Sequence, residues 1–229
     1  MRYEDVLSRM EELADPSQLA GQARYGIEIS RSLGITAPEL RRIAKEAGRD
    51  HDLALRLWSS GTREARILAA LVADPARVTS EQMELWAKDF DSWDVVDACC
   101  CNLFDRTSLA WPKALEWASR PEEFVKRAGF VLMACLAVHD KKASNYWFEP
   151  FFEAIEREAC DERNFVRKAV NWALRQIGKR NFALRDRAIE VASHVQARGC
   201  SPARWIASDA LRELRSSQLE ARLTARGNR

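Results

Sequence analysis

The chain has 229 residues, 47% of them hydrophobic, which is enough for one sizeable core. A formal charge of +2 does not by itself mark a polyanion binder, and no run of about 18 or more apolar residues offers a membrane span. The start MRYEDVLSRMEEL is acidic and amphipathic rather than a secretory signal, so a cytoplasmic location is expected.

Along the chain the apolar residues recur at intervals of three and four, and alternating strand-like runs bounded by turn pairs are missing, which predicts an all-α fold. After the amphipathic start, Thr36 to Glu39 (TAPE) reads as a capping box with Pro in the first turn. Ile67, Leu68, Leu71 and Val72 give the next helical stripe, and Thr79 to Gln82 (TSEQ) repeats the capping logic. Residues 91–100, DSWDVVDACC, put three aspartates on a helix; Asp91 reads as a cap and Asp94 as solvent-facing. Val125, Phe130, Leu132, Met133 and Leu136 mark a further helix. Gly34, Gly48, Gly61 and Gly199 sit where helices are expected to stop, and no loop is long enough to divide residues 1–229 into separate domains.

Cys99, Cys100, Cys101, Cys135, Cys160 and Cys200 form no C-x-x-C pair, which argues against zinc and against a disulfide framework and for buried free thiols. His51, His139 and His194 have no metal-ligand spacing, so neither a metal nor a cofactor is expected. The charge is uneven. Residues 1–160 carry 21 Lys+Arg against 27 Asp+Glu, net −6, whereas residues 161–229 carry 15 against 7, net +8. That asymmetry suits a nucleic-acid binder and equally a solvated basic face.

The segments EARILAAL, VVDACCCNLF, VKRAGFVLMACL, VRKAVNWALRQI and ARWIASDALREL align when Arg66, Asp97, Arg127, Lys168 and Ile206 are matched, with steps of 31, 30, 41 and 38 residues. One helix pair per step is the period of HEAT-like repeats, so a curved α-solenoid with a concave basic groove is expected. In that register Asp97 stands among Arg66, Arg127 and Lys168 as one fixed negative charge in a wall that attracts phosphates. Trp93 lies four residues before Asp97 and Trp172 four after Lys168, so two indoles and a carboxylate could together receive a flat cationic group. Alternatively each Trp is core and Asp97 pairs with Arg127 as a structural bridge.

The chain resembles the AlkD-type family of DNA alkylation repair proteins, the HEAT-like-repeat DNA glycosylases. The resemblance covers nearly its whole length and rests on LGITAPELRRIAKE (33–46), SWDVVD (92–97), FVKRAGFVL (124–132) and NFVRKAVNWALRQIGKRN (164–181). It implies a catalytic carboxylate at Asp97, flanking aromatics at Trp93 and Trp172, and phosphate binding by Arg127. It also implies a DNA-surface aromatic at Tyr25 and backbone contacts from Arg175 and Lys179. Members excise positively charged N3- and N7-alkylated purines, the best understood without rotating the base into a pocket. Ser92, where such proteins often carry another Trp, and ACCC after Asp97 depart from the family pattern. The resemblance thus implies a cofactor-free, monofunctional glycosylase acting as a monomer on alkylated duplex DNA, away from membranes. The alternatives are a non-catalytic binder of damaged, bent or branched DNA, and a protein-interaction scaffold.

Overall fold

A computed structural model describes residues 1–227, with side chains through residue 225. Among these residues there are fourteen α-helices and no strand, as the periodicity predicts. Backbone contacts divide the chain into two compact units that meet in sequence at Leu109 and Ala110.

The first unit holds α1 (Tyr3–Glu12), α2 (Leu19–Arg24), α3 (Ala37–Ala47), α4 (His51–Ser59), α5 (Arg63–Val72), α6 (Ser80–Lys88) and α7 (Trp93–Asn102). The helix α5 packs on α3, α4 and α7, so it is the element around which the unit is built. Its apolar stripe, Ala65, Leu68, Ala69 and Val72, is fully buried. Glu64 is buried with it and accepts from Ser32 Oγ (2.7 Å), Leu33 N (2.9 Å) and Gly34 N (3.1 Å), which ties the long connection before α3 to the start of α5. No helix ends at Gly34. That glycine serves a close approach instead, with φ +77° and Asp15 O only 2.1 Å from where a Cβ would stand. Gly48, Gly61 and Gly199 do follow helices, each with positive φ. Thr79 caps α6 by accepting from Gln82 N at 3.2 Å, whereas Thr36 precedes α3 without a side-chain cap bond.

The second unit holds α8 (Ala110–Ala118), α9 (Glu123–His139), α10 (Glu149–Glu158), α11 (Asn164–Gly178), α12 (Phe182–Ala197), α13 (Ser201–Leu214) and α14 (Ser217–Gly227). Every residue of α9 from Val125 to Ala137 is buried, so it is the central helix here, between α8 and α11. Gly129 permits the α8 contact: a Cβ there would lie 2.4 Å from Ala118 N and 2.8 Å from Ala114 O. Cys99 and Cys100 are buried thiols as expected, but Cys160 and Cys200 are joined by a disulfide, which corrects the expectation of thiols throughout. The turn after α10 meets the start of α13 there with a Cα separation of 5.9 Å, a proximity made by packing that 40 residues of sequence separation conceal.

Candidate functional site

The chain turns into α7 at Ser92, whose Oγ lies 2.5 Å from Asp94 Oδ1. Asp94 in turn accepts from Arg63 Nε at 2.6 Å, and only 12% of its side chain is exposed, so it clamps α7 to α5 and does not face solvent. Val95, Val96, Cys99 and Cys100 fill the inward face of α7. Trp93 and Asp97, four apart, are left on a half-buried stripe beside them. Together they line a hollow of about 340 Å³, with Leu40 and Arg41 from α3, Ile67 and Leu71 from α5, and Asn102 from the end of α7. The hollow is mostly apolar, with the Asp97 carboxylate set in its wall.

Two arginines stand at this hollow with different states of charge. Arg63 is neutralised by Asp94 and by Glu64, whose Oε1 lies 2.8 Å from Nη1. Arg41 is exposed and has no carboxylate partner among the described residues. It is the cation that can meet an anion arriving at the rim. Arg41 sits inside the stretch LGITAPELRRIAKE, and its i+4 relation to Ala37, another lining residue, is the sequence signal that would single it out. Trp93 is fixed at its polar edge, donating from Nε1 to Tyr25 O at 3.0 Å, and the Tyr25 side chain stands 75% exposed beside it.

Arg66 does not line this hollow. It is 8% exposed, donates to Asp89 O (2.9 Å) and Asp91 Oδ2 (3.1 Å), and lies over the Trp58 ring at 5.3 Å. Asp91 is therefore a partner of Arg66 and not the cap of α7. The cause is a one-residue difference in register. Asp97, Arg127 and Lys168 are each the fifth residue of their helix, whereas Arg66 is the fourth of α5 and Ile67 the fifth. A shift of one residue turns a side chain by about 100° around the axis. Ile67 accordingly lines the hollow, and Arg66 is turned toward Asp89 and Asp91.

In the second unit Arg127 is 5% exposed and donates to Phe165 O at 2.8 Å, Lys168 is exposed and Trp172 half-buried. Arg175 and Lys179 are engaged by acids: Arg175 meets Glu213 and Asp209 (2.9 Å), and Lys179 meets Glu213 at 3.1 Å. Burial pushes the Glu213 carboxyl up, but the bonds from Arg175 and Lys179 outweigh it and hold the group below its ordinary value.

Comparison with known proteins covers most of the chain. The family model described as DNA alkylation repair enzyme matches residues 6–214. Two curated relatives are the uncharacterized proteins Lin0241 of Listeria innocua and Lmo0209 of Listeria monocytogenes. They are 22% and 20% identical, and each match covers 84% of this chain and 86% of the relative. A solved structure from a family related to the HEAT-like repeat DNA glycosylases, with affinity for branched DNA structures, superposes with a TM-score of 0.75 at 19% identity. The match covers 85% of this chain and 83% of that one. The fold is thus HEAT-like, as the repeat spacing predicts.

Proposed function

Because the chain belongs to the DNA alkylation repair enzyme family, we propose that it hydrolyses the N-glycosidic bond of cationic N3- and N7-alkylated purines in duplex DNA, with Asp97 as the catalytic carboxylate. The observation that carries the reading is the seating of Asp97 and Trp93 in one apolar hollow whose rim bears the uncompensated Arg41.

The chemistry suits this set. An alkylated purine already bears a positive charge, so it leaves with the C1′–N electron pair and needs no proton from the protein. The sugar gains oxocarbenium character, and a carboxylate in apolar surroundings stabilises that charge more than one in water. Water then forms the C1′–O bond and gives up a proton. Trp93 offers a ring to the sugar or to the cationic base, and Arg41 offers a charge to a flanking phosphate. No second carboxylate is needed, and Asp94 is unsuited to such a role because Arg63 holds it. Phosphate contacts carry no base information, so sequence-independent binding is expected.

A second reading, binding of branched DNA without excision, is favoured by the stated affinity of the structural neighbour. One experiment separates the two. Duplex DNA bearing N7-methylguanine is incubated with the protein and released base is quantified by chromatography. The glycosylase reading expects release by the wild type and a loss on the order of a hundredfold in Asp97→Asn. No release by the wild type, together with tighter binding of a four-way junction than of the duplex, would establish the second reading instead.

A further inference from the structure

A second surface, wholly within the second unit, has the chemistry of a nucleic-acid contact that neither the family motifs nor the repeat register assigns. The 3-10 turn Asn145–Phe148 presents Tyr146 and Trp147 to solvent, 81% and 57% exposed, and Phe182 at the start of α12 is 38% exposed. Scattered exposed apolar residues are ordinary, whereas Tyr146 and Trp147 are consecutive in one turn, and Phe182 shares its ring with the Arg185 guanidinium 4.8 Å from the centroid.

Their placement is rigid. Asn181 caps α12 through Leu184 N and donates from Nδ2 to Asn145 Oδ1 at 2.9 Å, which joins the two aromatic turns. Trp147 packs against Trp111 with the rings tilted by 54° and their centroids 5.6 Å apart. Arg180 gathers the end of α9 and the turn after it, donating to Ala137 O (2.8 Å), Asp140 O (2.9 Å) and Ala143 O (3.0 Å), with its guanidinium over Phe148 at 4.8 Å.

Asn181 and Arg180 also line a hollow of about 680 Å³, together with Lys141, Lys179 and Arg222 and, among the described residues, no carboxylate. Lys179 is paired with Glu213, and Arg180 donates to backbone carbonyls and lies over a ring, with the Asp140 carboxylate acting on it at longer range. Lys141, its neighbour Lys142 and Arg222 are exposed and have no carboxylate partner among the described residues. Part of this charge complements the carbonyl ends of α9 and α11, but four side chains exceed what two helix ends take up.

We propose that this patch binds an unpaired stretch of DNA strand, its bases stacking on Tyr146, Trp147 and Phe182 and its phosphates entering the basic hollow. Exposed rings distinguish this occupant from a duplex, whose bases are already stacked on one another, and the exposed charges of Lys141, Lys142 and Arg222 distinguish it from a basic partner. The contact does not depend on whether Asp97 cleaves anything.

The test uses the full chain and a fluorescein-labelled twelve-nucleotide thymidine strand, followed by anisotropy at several salt concentrations. The same strand paired with its complement and vesicles containing phosphatidylserine serve as the other two probes. Tyr146→Ala should weaken binding of the unpaired strand about tenfold, with helicity and any base release from alkylated duplex unchanged. Lys141→Glu with Lys142→Glu should weaken it further and reduce the salt slope by about 1.4, the value for two single-strand phosphates. The proposal is overturned if the wild type does not bind the strand, if these variants bind it as the wild type does, or if they lose only vesicle binding.

Discussion

The indole of Trp93 and the main chain of Tyr25 are joined by a hydrogen bond across 68 residues of sequence, so the aromatic beside Asp97 is also the anchor of the connection that follows α2. Trp93→Phe keeps a ring in the hollow and deletes only the donor. The expected loss is about 1 kcal/mol of stability, with faster amide exchange at Tyr25 to Ile27. Base release should fall less than in Asp97→Asn, since the carboxylate is untouched. Unchanged exchange in that segment would show that the bond is not what holds it.

Glu64 is the buried carboxylate on which the start of α5 depends, accepting from Ser32, Leu33 and Gly34 while pairing with Arg63 at 2.8 Å. Glu64→Gln keeps the shape but replaces one acceptor oxygen by a donor and leaves Arg63 with Asp94 alone. Breaking a buried pair from one side costs about 3–5 kcal/mol, so denaturant unfolding should show a loss of that order. Arg63 would also loosen its hold on α7, so the position of Asp97 should suffer along with stability.

Acid should weaken the second unit through Lys126. Its ammonium binds Glu158 and lies 3.6 Å from Asp161. Burial pushes the Glu158 carboxyl up, but the bonds from Lys126 and Arg157 outweigh it and hold the group below its ordinary value. Burial likewise pushes Asp161 up, and the bonds from Arg163 bring it below. Folded values below the unfolded ones mean that this stability is fully present above about pH 5 and is lost as pH falls through about 4 and below. The melting temperature should therefore be flat near neutrality and drop in that acid range. In Lys126→Met the neutral plateau should lie lower and the acid drop should shrink, because Glu158 and Asp161 then titrate closer to their unfolded values.

Helical spacing makes the repeats legible because burial imposes it on every second helix. The sequence steps of 31, 30, 41 and 38 residues match helix starts at Arg63, Trp93, Glu123, Asn164 and Ser201 to within one residue. A single residue is nevertheless what decides function at such a surface. It separates Ile67 in the hollow from Arg66 beneath Trp58, and charge alone could not reveal that Asp89 and Asp91 would draw Arg66 inward. The pairing of Asp94 with Arg63 and the approach of Cys160 to Cys200 are products of packing between repeats and leave no local pattern. Trp93 and Asp97 were legible together because they share one helix, where the i,i+4 relation is fixed by geometry.

The bond between Cys160 and Cys200 encloses α11 and α12 in a covalent ring. A protease that nicks the turn between those two helices leaves the polypeptide in one piece, and the severed halves part only when a reductant opens the ring. The basic final third of the chain is thereby buckled to the rest by sulfur as well as by packing.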